Sequence, residues 1–131
     1  MAKILVVDDD PDIREAMTMI LESQGYQVVT AQDGIEALAN LKAETPDLMI
    51  LDLLMPRMDG FAVCKELKHP RWSKYAGVPI LILTSVREEA SRRRYELETG
   101  MELDVADYIE KPIVPPVLLQ RVEKLLKKKS A

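Results

Sequence analysis

With 131 residues, 47% hydrophobic and 31% charged, the chain is one globular domain's worth, long enough to bury roughly two-thirds of its unfolded surface without disulfides or structural zinc. Its formal charge of −4 is unevenly spread: Arg121, Lys124, Lys127, Lys128 and Lys129 outweigh Glu123 near the end, so residues 1–116 carry −8, which excludes a strong nucleic-acid clamp. The single cysteine, Cys64, excludes a disulfide framework, and the longest uncharged central run, Tyr75–Val86, is twelve residues, well short of a membrane span.

Met1 is followed by Ala2-Lys3 and a short apolar run, so neither a signal peptide nor a membrane span is expected, and the location expected is cytoplasmic. That run, Ile4–Val7, is wholly apolar and ends abruptly in Asp8-Asp9-Asp10, which predicts a strand buried on both faces. Asp10-Pro11 then reads as the cap and first turn of a helix. Ile13, Ala16, Met17, Ile20 and Leu21 form its inward stripe, and Gly25 is its expected C-cap. Tyr26–Thr30 is a second strand, and Asp33-Gly34 opens a helix carrying Ile35, Leu38 and Leu41.

Pro46 ends that helix, and a third strand, Leu48–Leu51, runs into Asp52. Turn residues Met55-Pro56 and Asp59-Gly60 lead to a helix over Phe61–Leu67. A fourth strand, Ile80–Leu83, ends at Thr84 and is followed by a polar helix over Glu88–Leu97. Tyr108-Ile109 is a short fifth strand before Glu110-Lys111-Pro112. A last helix begins at Pro115 or Pro116, with Leu118, Leu119, Val122, Leu125 and Leu126 inward. Strict strand–helix alternation predicts an α/β fold, a doubly wound parallel sheet with helices on both faces. The domain is expected to span residues 1–126, with 127–131 as a basic C-terminal tail.

In such a sheet, ligands sit beyond the carboxyl ends of the strands. Asp8 and Asp9 stand there at strand one, Asp52 at strand three and Thr84 at strand four, and strand five leads to Lys111. Crowded carboxylates repel unless a cation joins them. Mg²⁺, a hard ion that keeps several waters, suits an open oxygen cluster. A carboxylate beside Mg²⁺ and a lysine can act as nucleophile toward a phosphoryl group, and the Thr84 hydroxyl can bond the product. Helix capping is the simpler role for Asp10. Asp8 and Asp9 are assigned to the crevice because Asp52 and Lys111 end neighbouring strands.

Over essentially its whole length the sequence resembles the receiver domains of bacterial response regulators. The matching segments are Ile4–Asp10, Leu51–Pro56, Met58-Asp59-Gly60, Ile82–Ser85 and Tyr108–Pro112. The resemblance implies the five-stranded flavodoxin-like order 2-1-3-4-5. It also implies that Asp52 accepts a phosphoryl group from a sensor histidine kinase, a histidine phosphotransfer protein or a small phosphodonor. By the same resemblance Asp9 ligates Mg²⁺ directly and Asp8 through water, with Asp52 and the Leu54 carbonyl completing the set. Lys111 pairs with the phosphate, Thr84 swings toward it, Ser85 keeps access open, and Tyr108 rotates inward. The Lys111–Pro112 bond is implied to be cis. The output surface for a downstream protein is implied to be the fourth helix, fifth strand and fifth helix. The resemblance implies a phosphoacceptor signalling domain rather than a classical enzyme, one expected to catalyse only its own phosphotransfer and slow self-dephosphorylation.

Two departures from the family pattern matter. Thr84 and Lys111 are 27 residues apart, a few more than usual, with the surplus in Thr99–Ala106. The positions two beyond Asp52 and Thr84 are Leu54 and Val86; neither can orient a hydrolytic water, which predicts a long-lived aspartyl phosphate. Several residues receive ordinary roles: Cys64, Met17, Met19 and Met49 as core, His69 as a surface loop, and Arg92–Arg94 as a solvated helix face. A flavodoxin is disfavoured by the anionic Asp8–Asp10 loop. A haloacid-dehalogenase-type phosphatase is disfavoured by Leu54, where it needs a second aspartate. The remaining rival is a pseudo-receiver, a phosphorylation-independent interaction module, which usually lacks one of the acidic, acceptor or lysine residues present here.

Overall fold

A computed structural model describes residues 1–130, with side-chain surroundings through Lys128; part of the expected tail over 127–131 lies outside the described residues. Five parallel strands, β1 (Lys3–Val7), β2 (Gln27–Ala31), β3 (Leu48–Asp52), β4 (Ile80–Thr84) and β5 (Asp107–Glu110), form one sheet in the order β2-β1-β3-β4-β5. Between and after them run α1 (Pro11–Glu22), α2 (Gly34–Glu44), α3 (Gly60–Leu67), α4 (Val86–Thr99) and α5 (Pro115–Ser130). The doubly wound class and the strand order are those expected.

The two-residue period of the strands divides the core in two. Ile4, Val6, Leu48, Ile50, Leu81 and Leu83 face Met17 and Leu21 of α1 and Leu118, Val122 and Leu125 of α5. Leu5, Val7, Met49, Leu51, Ile80 and Ile82 face Ala37 of α2, Val63 and Cys64 of α3, and Tyr95 of α4. Full burial of each large aliphatic side chain contributes roughly 1.5–3 kcal/mol. The central strands are therefore a rigid platform for the residues at their carboxyl ends.

Local chemistry starts each helix. Asp10, Asp33, Asp59 and Ser85 are the N-caps of α1 to α4, each side chain accepting a bond from a first-turn amide. Other expectations need correction. Helix α1 ends at Ser23, still right-handed, whereas Gly25 (φ +86°) makes the following turn. Met19 and Ile35 are exposed rather than core, and Ala16 is exposed too. On α2 the stripe is instead carried by Ala37, Leu41 and the half-buried Leu38. The segment after α3 is a 3₁₀ helix, Pro70–Tyr75, capped by His69, whose Nδ1 accepts from the Arg71 amide at 3.1 Å. Trp72 in that turn is buried, and its indole N–H donates to Glu66.

The surplus segment between Thr84 and Lys111, Thr99–Ala106, is almost wholly a non-helical connection, since only Thr99 belongs to a helix. Helix α4 runs two residues past the expected Leu97 and closes on Gly100 at φ +69°. The connection beyond is tied down by buried Leu103 and by the Ala106 amide on the Ile80 carbonyl.

Candidate functional site

The crevice is built by the ends of β1, β3, β4 and β5. Asp8 follows β1 and is nearly wholly buried; its Oδ1 accepts the Asp10 amide at 2.9 Å, and Arg14 grips its carbonyl from α1 at 2.7 Å. Asp52, the last residue of β3, is equally enclosed. Asp9 is exposed at the rim. Ligand oxygens of Asp8, Asp9 and Asp52 all lie within 4.8 Å of one another.

The loop after β3 is held from two sides. The Gly60 amide bonds the Leu53 carbonyl at 2.8 Å. A Cβ on Gly60 would stand 2.5 Å from the Asp52 carbonyl oxygen, so only glycine lets α3 begin this close to the acidic strand end. On the other side the Gly34 amide bonds the Met58 carbonyl, and the Arg57 guanidinium bonds buried Asp33. The Glu36 amide, then burial working against it, sets the Asp33 carboxyl, which stays below its ordinary range with help from Arg57.

Lys111 reaches the crevice because its backbone continues the β4–β5 pairing: its amide donates to the Thr84 carbonyl at 2.7 Å. The Lys111–Pro112 peptide is cis. Its Nζ lies 3.4 Å from Asp52 Oδ1, 3.5 Å from Asp8 Oδ2 and 3.3 Å from Glu88 Oε1. Burial works against the lysine's charge, but Asp52, Asp8 and Glu88 together raise its pKa.

Glu88 is the residue that sequence reasoning missed. It lies in the first turn of α4, is only 6% exposed, and puts a third carboxylate, after Asp8 and Asp52, beside the Lys111 ammonium. One signal for it was available. Ser85-Val86-Arg87-Glu88 has the spacing of a capping box, in which the glutamate bonds back to the cap residue's amide. Only half of that box is made: Ser85 Oγ accepts the Glu88 amide at 3.3 Å, while the Glu88 carboxylate turns inward to Lys111.

The electrostatics follow from crowding. Burial pushes the Asp8 carboxyl up to about 6, the Asp10 amide opposing and the Asp52 charge adding to the rise. Burial, and then the charge of Glu88, pushes Asp52 up against the pull of Lys111. Asp8 Oδ2, Thr84 Oγ1 and Glu88 Oε2 are buried without a hydrogen-bond partner. Orphaned oxygens of this kind are rare in folded proteins. Two orphaned acceptors and a hydroxyl, beside three clustered aspartates, fit a hard divalent cation and an oxyanion better than they fit the empty fold.

Ser85 is half-buried at the start of α4. Leu54 is half-buried in the β3–α3 loop, whereas the Val86 side chain is 91% exposed, so of the two apolar positions only Leu54 is enclosed. Tyr108 is half-buried on β5, and the Arg92 guanidinium stands 4.8 Å from its ring centre. Arg92 is in turn held by Glu89 and Glu96. The expected solvated arginine face is therefore confined to Arg93 and Arg94, and Arg92 is a packing element against the aromatic. Cys64 is buried, and its thiol is pushed up to about 12 by that burial, an inert packing residue.

A family model described as "Response regulator receiver domain" matches residues 4–123. The chain is 43% identical over 126 residues to the "Probable transcriptional regulator ycf27" of Cyanophora paradoxa, covering 96% of this chain and 48% of that protein. It is 40% identical to the "Alkaline phosphatase synthesis transcriptional regulatory protein PhoP" of Bacillus subtilis (strain 168), covering 96% and 49%. The chain thus spans about half the length of these curated relatives. Among solved structures, the signal receiver domain of a signal transduction histidine kinase from Syntrophus aciditrophicus superposes with a TM-score of 0.82 at 36% identity, covering 98% of this chain and 92% of that one. A putative response regulator from Chloroflexus aurantiacus J-10-fl gives 0.81 at 34% identity, covering 96% and 98%.

Proposed function

The chain belongs to the response regulator receiver family of two-component signalling, and from that premise we propose that Asp52 is its phosphoacceptor. The observation that carries the reading is convergence: three carboxylates from two strand ends within 4.8 Å, with Lys111 3.4 Å from Asp52. An Asp52 carboxylate oxygen attacks phosphorus, and the bond from phosphorus to the donor's oxygen or nitrogen breaks. The donor atom leaves with that electron pair, as acetate from acetyl phosphate or as the imidazole of a histidine donor. Asp8, Asp9, Asp52 and the Leu54 carbonyl would hold Mg²⁺, which when bound offsets charge on the transferring oxygens. Lys111 pulls Asp52 toward its ionised form, against its burial and the Glu88 charge, and meets the phosphoryl oxygens.

The output follows from charge. The phosphoryl group adds about two negative charges, and Lys111 and the unpartnered Thr84 hydroxyl are the groups beside Asp52 able to meet them. Shifting a population from 1:99 to 99:1 requires about 5.5 kcal/mol of difference between states. Charge-assisted hydrogen bonds at roughly 1.5–3 kcal/mol each reach that sum with about two to four contacts. Thr84 leads directly into α4, and Tyr108 sits under Arg92 of α4, so a movement at Thr84 is passed to the surface of α4, β5 and α5. Val86 and Leu97 of α4 are strongly exposed, and Arg121 of α5 pairs with Asp107 of β5 at 3.0 Å. We assign this face to a downstream protein, and assign the segment no direct nucleic-acid contact because of its acidic body. No helix among the described residues is long and apolar enough to cross a membrane. The pseudo-receiver alternative has no missing residue in its favour.

Borohydride reduction of the acyl phosphate converts the acceptor to homoserine, and peptide mapping is expected to find it at position 52. Homoserine at position 8 or 9 would move the acceptor. Lifetime is the finer expectation: with Leu54 apolar, decay is slow. Leu54→Asn is expected to speed loss of the phosphoryl mass roughly tenfold to a hundredfold, the scale of a positioned water; an unchanged decay rate would remove Leu54 from the explanation.

A further inference from the structure

We propose that Glu88 is an internal stand-in for the phosphoryl group, holding Lys111 in the resting state and released to the capping position of α4 when a tetrahedral oxyanion forms on Asp52. This rests on Asp52 being the acceptor.

Three observations carry it. The Glu88 carboxylate lies 3.3 Å from Lys111 Nζ on the same ammonium that stands 3.4 Å from Asp52, so glutamate and phosphoryl oxygens compete for one cation. The glutamate is 6% exposed and its Oε2 has no hydrogen-bond partner, an enclosure that disfavours a carboxylate unless something in the crevice retains it. A second position is built into the sequence: the Ser85–Glu88 spacing is that of a capping box, and its second bond is unmade. Moving Glu88 outward turns a buried, half-satisfied carboxylate into a satisfied cap and frees Lys111 in one step. Because Glu88 belongs to the first turn of α4, that exchange reports the state of the crevice to the helix that begins the output face.

The test is the affinity for beryllofluoride, a phosphoryl mimic that binds aspartate, at saturating Mg²⁺. It is measured by calorimetry for wild type, Glu88→Gln, Glu88→Ala and Glu110→Gln. The last removes the same charge from the exposed side chain next to Lys111. Glu88→Gln and Glu88→Ala are expected to bind about tenfold tighter than wild type, the effect of removing one close like charge. Glu110→Gln is expected to stay within about twofold, as for a screened surface charge. Equal or weaker binding by both Glu88 variants, with melting showing either one folded, overturns the stand-in role while leaving Asp52 as acceptor. Equal tightening in Glu110→Gln overturns it too, by showing a general field rather than a contact. If wild type binds no beryllofluoride, the acceptor assignment fails and this inference falls with it.

Discussion

Asp8→Asn is expected to stabilise the fold by about 3 kcal/mol at pH 7.5 without divalent cations. The carboxyl stands at about 6 in the folded chain against 3.8 as its ordinary value, burial being the main cause, and each pKa unit corresponds to about 1.36 kcal/mol. The folded state holds this proton more tightly than the unfolded chain does. Stability therefore falls as pH rises from about 4 to about 6, and the full deficit is present above that window. The amide keeps the oxygen that accepts the Asp10 N–H at 2.9 Å and discards only the charge. Urea titrations at pH 7.5 and pH 4 check both limbs: the gap between variant and wild type should be large at the first and nearly closed at the second.

Mg²⁺ should reverse the comparison. A ligand at a hundred times its Kd adds about 2.7 kcal/mol to the state that binds it. Wild type is expected to gain that increment and the variant much less. A variant no more stable than wild type at pH 7.5 would mean that the Asp8 charge is already compensated by Lys111 at 3.5 Å. The acidic cluster would then store no repulsion for a cation to relieve. The same crowding explains why the fold tolerates the site at all: β1 and β3 are buried on both faces, and their apolar packing outweighs the strain at their ends.

That architecture is also why so much was legible in the sequence. A strand buried on both faces is a continuous apolar run, and the first charge after it marks where the strand leaves the core. Asp8, Asp52 and Thr84 stand at such exits, and parallel topology brings all exits to one edge. Helix caps were equally plain, because Asp10 and Asp33 sit immediately before their helices. Single-turn detail was not. Met19 and Ile35 are apolar yet point outward, since a stripe of α1 or α2 saturates its side of the sheet with Met17, Leu21, Ala37 and Leu41. The buried Trp72 turn lacks any period long enough to read.

Glu88 was hidden for a different reason. A glutamate four residues beyond a strand end, in a helix rich in arginine and glutamate, has the composition of a solvated face. Its inward turn depends on Lys111, 23 residues away in sequence. Arg92 is similar: its stacking on Tyr108 is a tertiary contact that neither residue announces. Both lie where crevice and output face meet, the region in which local preference yields to the needs of a switch.

The most direct test of Asp52 as acceptor is intact mass after incubation with acetyl phosphate and Mg²⁺, for wild type and Asp52→Ala. The account predicts one added phosphoryl group on wild type and none on the variant, with both proteins folded. A wild-type chain that gains nothing, from acetyl phosphate or from a phosphorylated histidine kinase, would contradict it and identify a receiver fold used as a constitutive binding module.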